Sequence, residues 1–221
     1  MRPFHGLTIL LLLFVAAAAQ SRTPDADYVA RLRAQALLES LNADLLSHDS
    51  ATATLQRWCD DRGLAPGQSI VARRVRGSDT PPDAEVLAAL RPEPGETVLY
   101  RRVELACGRH VLSRADNWYR PGRLTPAMNA RLETTETPFG VVVRDLHFTR
   151  RTLSVAVFYQ PLGDGWRRIG RRSTHSVGDA TIPDIILQHR AVLADYAGVP
   201  FSVVVENYTA AATTEMQRQH R

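Results

Sequence analysis

The chain has 221 residues, 44% of them hydrophobic and 23% charged, which suits one domain with a substantial core, or one domain with an extra arm. Its 27 basic residues, every one of them Arg, stand against 23 acidic ones, for a formal net charge of +4. That excess is small, and Arg pairs such as Arg73-Arg74 and Arg150-Arg151 are separated by apolar runs, so they read as solvated strand faces and argue against a nucleic-acid partner.

The N-terminus reads as a targeting segment. Arg2 precedes an apolar run from Leu7 to Val15 broken only by Thr8, and four alanines (Ala16 to Ala19) lead to Gln20. This is the pattern of a signal peptide over residues 1–19, cut near Ala19, and the run is shorter than the roughly 20 residues of a spanning helix. The expected mature chain is exported, to the periplasm or the outside, with no stable membrane span. Residues 20–43 are expected to form a tether and a helix, 44–210 the main domain and 211–221 a polar tail.

Within the helical part, Tyr28, Leu32, Ala36, Leu37, Leu41 and Leu45 recur at helical spacing over 25–46. A second helix starts after Asp49-Ser50, turns Leu55, Trp58 and Cys59 to the core and ends at Gly63. Residues 70–76 alternate like a strand, and 80–90 form a short helix with Pro82 near its start. Two strand-like runs, 98–107 and 110–119, meet at Gly108-Arg109 as a hairpin. Thr125-Pro126 opens a short helix over 124–133, and Thr137-Pro138-Phe139-Gly140 repeats that grammar with Thr137 as the cap. Residues 146–162 are strand material, 163–184 an exposed loop or flap, and 189–198 with 200–209 a second hairpin turning at Gly198-Val199. Helices followed by hairpins predict an α+β fold, a single antiparallel sheet with helices packed on it.

Cys59 and Cys107 lie on different predicted elements, as a disulfide of an exported protein or as buried thiols. There is no CxxC and no HExxH, so a metal site is not expected, and no dinucleotide fingerprint or P-loop is present.

The candidate chemistry sits on bland segments. Ser50 as N-cap leaves the N–H groups of Ala51 and Thr52 at a helix start, and Thr137 as N-cap would leave those of Phe139 and Gly140. Such groups favour anions, although plain helix capping explains the same residues. In the run 98–105, Tyr100, Arg102 and Glu104 share one face while Leu99, Arg101, Val103 and Leu105 share the other. One Arg therefore lives on the covered side and needs an anion, either a ligand or an internal acid such as Glu206 or Asp116. Glu206 follows three valines, placed as a desolvated acid or hydrogen-bond acceptor, or else as an edge-strand acid in water.

The blocks DSATATLQRWC, VLYRRVELACGRHVLSRADNWYRPGRLTPAMN, TTETPFG and ILQHRAVLADYAGVPFSVVVENYT, in that order over about residues 44–210, resemble the chorismate lyase-like family. The resemblance implies an antiparallel sheet enclosing a ligand under flaps, no cofactor, and conversion of chorismate to 4-hydroxybenzoate and pyruvate. Carried over by position, it implies Arg102 as the carboxylate-binding Arg, Ala51 and Phe139 as backbone N–H donors, Arg114 as a second basic residue near the site, and Glu206 as the acid across the ring. Two other readings stand beside this one: an exported, non-catalytic binder of small aromatic carboxylates, and an exported module used for contact with protein or envelope. Regulation of DNA is disfavoured, because no helix-turn-helix precedes the domain.

Overall fold

The computed structural model describes residues 24–77, 79–163 and 182–213. The expected signal peptide, most of the 163–184 loop and nearly all of the polar tail lie outside them. Five α-helices are described: α1 (Pro24–Leu46), α2 (Ala51–Asp61), α3 (Ala84–Leu90), α4 (Pro126–Thr134) and α5 (Phe139–Val142). Six strands, β1 (Val71–Val75), β2 (Leu99–Cys107), β3 (His110–Tyr119), β4 (Thr149–Val157), β5 (Ile185–Ala194) and β6 (Pro200–Thr209), form one sheet in the order β1-β2-β3-β6-β5-β4. Every neighbouring pair is antiparallel, as the α+β expectation requires.

The register decides which side chains share a face. Arg101 pairs with Asn117, Asn117 with Val204 and Val204 with Ala191, so these four point the same way. Two residues along each strand lie Val103, Ala115 and Glu206, and at the far edge Arg150 pairs with Leu193 on the same side. α1 and α2 cover this face: Leu38, Leu41, Leu45, Leu55 and Trp58 pack on Val103, Leu105, Ala115, Val204 and Tyr208. Each fully buried Leu contributes roughly 1.5–3 kcal/mol, and this contact supplies the amphipathic helices with most of their stability. α1 therefore adds its C-terminal half to the core, although the family resemblance begins only near its end. Trp58 Nε1–H also donates to Asp44 Oδ2 at 2.6 Å, tying α2 to α1. α4 and α5 close the end of the same face through Leu132 and Val142 against Tyr119, Leu193 and Phe201. α3 packs Val86 and Leu90 on the opposite face, against Trp118, Val192, Val203 and Val205.

α2 ends as its sequence predicts. Gly63 has φ +60°, a conformation that suits glycine, and the Leu64 N–H reaches back to the Cys59 carbonyl at 3.1 Å. Cys59 and Cys107 form a disulfide that fastens α2 to the end of β2, with Cα atoms 6.2 Å apart.

Candidate functional site

A cavity of about 50 Å³ lies between the sheet and the starts of α2 and α5. That is room for a few waters or one small anionic group. The sheet contributes Arg101, Val103, Asn117, Val204, Glu206 and Arg150. The helix starts contribute Ser50, Ala51, Thr52, Phe139 and Gly140, and Phe148 closes one side.

The two helix starts touch. A Cβ added at Gly140 would stand 3.3 Å from Ser50 Oγ and 3.7 Å from Thr52 Oγ1, so a larger residue there would press the two starts apart. Ser50 caps α2 as expected, its Oγ accepting the Ala53 N–H at 3.2 Å and its carbonyl the Thr54 N–H at 3.0 Å. The N–H groups of Ala51 and Thr52 come before the first intrahelical donor, the Thr54 N–H, and have no acceptor within the helix. At α5 the expectation is corrected: Pro138, not Thr137, is the N-cap, and there is no side-chain cap. Thr137 instead turns its N–H to Thr135 Oγ1 at 3.2 Å, while the Pro138 carbonyl accepts from Val141 and Val142.

The basic residues are redistributed as well. Arg102 does not line the cavity. It lies on the other face of the sheet, its side chain 42% exposed, with Nε 3.1 Å from Asp116 Oδ1. Asp116 also accepts a hydrogen bond from the Tyr100 hydroxyl. The internal-acid alternative thus describes Arg102. Arg114 is on that same outer face, paired with Glu104 at 3.3 Å and with Asp184 at 2.5 Å. In the cavity stands Arg101, only 2% exposed, whose Nε and Nη2 have no hydrogen-bond partner among the described residues. Burial, and then the neighbouring Arg74, push its pKa below the usual arginine value. Arg102 is the residue that the family resemblance implies by position; in the structure alternation along β2 sets Arg101 with Val103 and Leu105 on the covered face, and Arg102 on the other.

Glu206 does face the cavity, 5% exposed. It is held by two groups on one oxygen: Arg150 Nη1 lies 2.7 Å from Oε2, and the Tyr208 hydroxyl donates to Oε2 at 2.9 Å. Burial works against the Arg150 charge, but Glu206 and Tyr208 override it and the guanidinium pKa is raised. Tyr208 is pushed well above its ordinary value, first by burial and then by Glu206. Next to this group His189 stacks edge-on against Tyr208, 5.4 Å between ring centres, with Nε2 2.8 Å from Asn42 Oδ1. Burial, and then Arg150, hold its pKa down at about 4, so the ring is neutral at physiological pH.

Arg150, Asn117 and Tyr208 were not among the sequence candidates. Arg150-Arg151 carries the same signal as Arg101-Arg102: of two adjacent arginines in a strand, one must turn to the covered side. Among the described residues no group of His, Cys, Asp or Glu is arranged to hold a metal ion, and no helix is long and apolar enough to cross a membrane.

Fold and site together define an α+β protein on one antiparallel sheet, with a small two-arginine, one-glutamate pocket roofed by helix starts. The sheet with helices packed on it is the fold that the resemblance to chorismate lyase-like proteins implies; the two arginines, Arg101 and Arg150, are not the ones it implies. Among known proteins, the uncharacterized protein y4mC of Sinorhizobium fredii (strain NBRC 101917 / NGR234) is 47% identical over 182 residues, which is 82% of this chain and 77% of that protein. The chain belongs to the y4mC family. No family model matches it. Similar solved structures include PhnF from Mycobacterium smegmatis (TM-score 0.48, 16% identity, 79% of this chain and 70% of that one) and the effector domain of PhnF (TM-score 0.45, 16% identity, 73% and 89%). A GntR-family transcriptional regulator from Enterococcus faecalis V583 is similar at TM-score 0.39 and 13% identity, over 68% of this chain and 99% of that one.

Proposed function

We propose that the pocket binds the carboxylate of a small aromatic acid, and that its chemistry is the lyase reaction converting chorismate to 4-hydroxybenzoate and pyruvate. The observation that carries this reading is Arg101: a buried guanidinium with two unpartnered donors, beside the start of α2. A buried cation without a protein anion is costly unless a ligand supplies one, and Nε with Nη2 forms the fork that a carboxylate fits. Ala51 and Thr52 add main-chain donors and the positive end of α2. A benzoate ring needs more room than the present cavity, so half-buried Phe139 and Phe148 turn aside on binding.

With the ring carboxylate on Arg101, the far end of the ring points to Glu206. In the proposed reaction the ether bond from C3 to the enolpyruvyl oxygen breaks and the C4 hydrogen leaves as a proton to Glu206. The ring becomes aromatic, keeping the C4 hydroxyl. The departing enolate takes up a proton and becomes pyruvate, so atoms and charge balance. Most of the barrier is removed by orientation and one placed base, with aromatisation as driving force.

The ion pair of Glu206 with Arg150 favours a second reading, a non-catalytic binder of aromatic carboxylates, because Oε2 of Glu206 is already occupied by a guanidinium and a phenol hydroxyl. The two are separated by mixing the protein with chorismate and following 4-hydroxybenzoate absorbance and pyruvate. Turnover lost in Arg101→Met and Glu206→Gln supports the lyase. No turnover, with 4-hydroxybenzoate raising the melting temperature, supports the binder. The absence of both signals overturns the carboxylate reading. The expected setting for either activity is outside the cytoplasm, after removal of residues 1–19.

A further inference from the structure

Asn117 lines the cavity, only 4% exposed, and the proposed reaction gives it no part. Register sets its place: it is the direct cross-strand partner of Arg101, on the strand that lies between β2 and β6. Residues opposite one another on one face of an antiparallel pair have Cβ atoms about 4.5–5.5 Å apart, so both side chains reach one small group. A buried amide needs hydrogen bonds at both of its ends. The oxygen end is satisfied inside the protein, because the buried Ser202 hydroxyl donates to Asn117 Oδ1 at 2.6 Å. That bond orients the amide and leaves its NH₂ end for the cavity. Two residues along the strands, the next row of the same face reads Val103, Ala115 and Glu206. Arg101 and Asn117 therefore stand side by side in one row and the acid stands in the next, so a ring held by the first row points its far end at Glu206.

We infer that Asn117 is a ligand-binding residue: its Nδ2–H donates to an oxygen of the same carboxylate that the Arg101 Nε–Nη2 fork holds. This rests on the carboxylate reading of the pocket and adds to it a specificity. Each carboxylate oxygen has lone pairs enough for both partners, whereas the neutral amide of the same shape brings its own NH₂ group against one of these donors.

The test compares 4-hydroxybenzoate with 4-hydroxybenzamide by calorimetry on the mature protein. Wild type is expected to prefer the acid by about 10- to 100-fold. Asn117→Ala removes the donor and makes room for the ligand's NH₂, so that preference should fall about 10-fold. Asn117→Asp keeps the shape and the acceptor for Ser202 but turns an acceptor to the ligand. It should repel the acid, bind the amide more tightly than wild type does, and so reverse the preference. A merely structural role would lower acid and amide affinity together and leave their ratio unchanged. The inference is wrong if Asn117→Ala keeps the wild-type ratio or, should that variant not fold, if Asn117→Asp binds the amide no better than wild type; the pocket reading then still stands. If wild type itself shows no preference for the acid, both fall.

Discussion

Replacing Arg101 by Met should make the protein more stable and deaf to its ligand. The apolar stem of Arg101 is kept by Met, while a guanidinium that is 2% exposed and has two partnerless donors disappears. A buried donor left unpaired costs about 1–3 kcal/mol. Set against the contacts Arg101 does make, removing two such donors should yield a net gain of about 2 kcal/mol at neutral pH. For a domain of this size that corresponds to a rise in melting temperature of roughly 4–8 °C. Urea unfolding at pH 7, with and without 4-hydroxybenzoate, measures both halves: a higher midpoint without ligand, and no ligand-induced shift. Sites held ready for a ligand commonly show this exchange of stability for function. If Arg101→Met lowers stability by more than about 1 kcal/mol, Arg101 is a structural strut and the reasoning that assigns it to a ligand fails.

His189 makes stability depend on pH. Its folded pKa of about 4 lies below the ordinary 6.5, so the unfolded chain binds the extra proton, and stability is full above about pH 6.5 and lost as pH falls toward 4. That loss is about 3 kcal/mol, and the corresponding slope in a denaturation series from pH 7 to 4 should flatten in His189→Gln. Glu206→Ala leaves Arg150 buried without its anion and should cost about 3–5 kcal/mol by chemical denaturation, whereas Glu206→Gln, which keeps an acceptor, should cost much less. Reducing the Cys59–Cys107 bond, which spans 48 residues, should lower stability by about 4 kcal/mol in the chain-entropy description, read as a lower urea midpoint with reductant. Leu41→Ala, at a fully buried position on α1, should cost about 2–5 kcal/mol, whereas Leu32→Ala, at an exposed one, should change the midpoint little.

Much of the fold is legible in the residues because its signals are local. The hairpin at Gly108-Arg109, the cap at Ser50, the Thr125-Pro126 helix start and the Gly63 helix end each depend on a few neighbouring positions, and each stands where the sequence places it. The site is only half legible, because it depends on register. Alternation along β2 already sets Arg101 with Val103 and Leu105 on one face, but alternation alone does not say which face is covered, and the family resemblance by position favours Arg102. Glu206 survives because no register shift separates it from Val203 and Val204 in its pairing with β3. Arg150 was hidden for a different reason. Its partner is 56 residues away on a strand two positions across the sheet, and no periodicity encodes that proximity. At TPFG the proline itself occupies the cap, since its fixed φ suits the residue before a helix and Thr137 is drawn to Thr135 instead.

The most direct measurement is a crystal structure of the mature protein with 4-hydroxybenzoate. The carboxylate should lie within hydrogen-bond distance of the Arg101 guanidinium and of the Ala51 or Thr52 N–H, with the hydroxyl toward Glu206. A ligand bound elsewhere, or seated with its carboxylate toward solvent and Arg101 still unpartnered, would contradict the proposal that this pocket exists to hold a small acid.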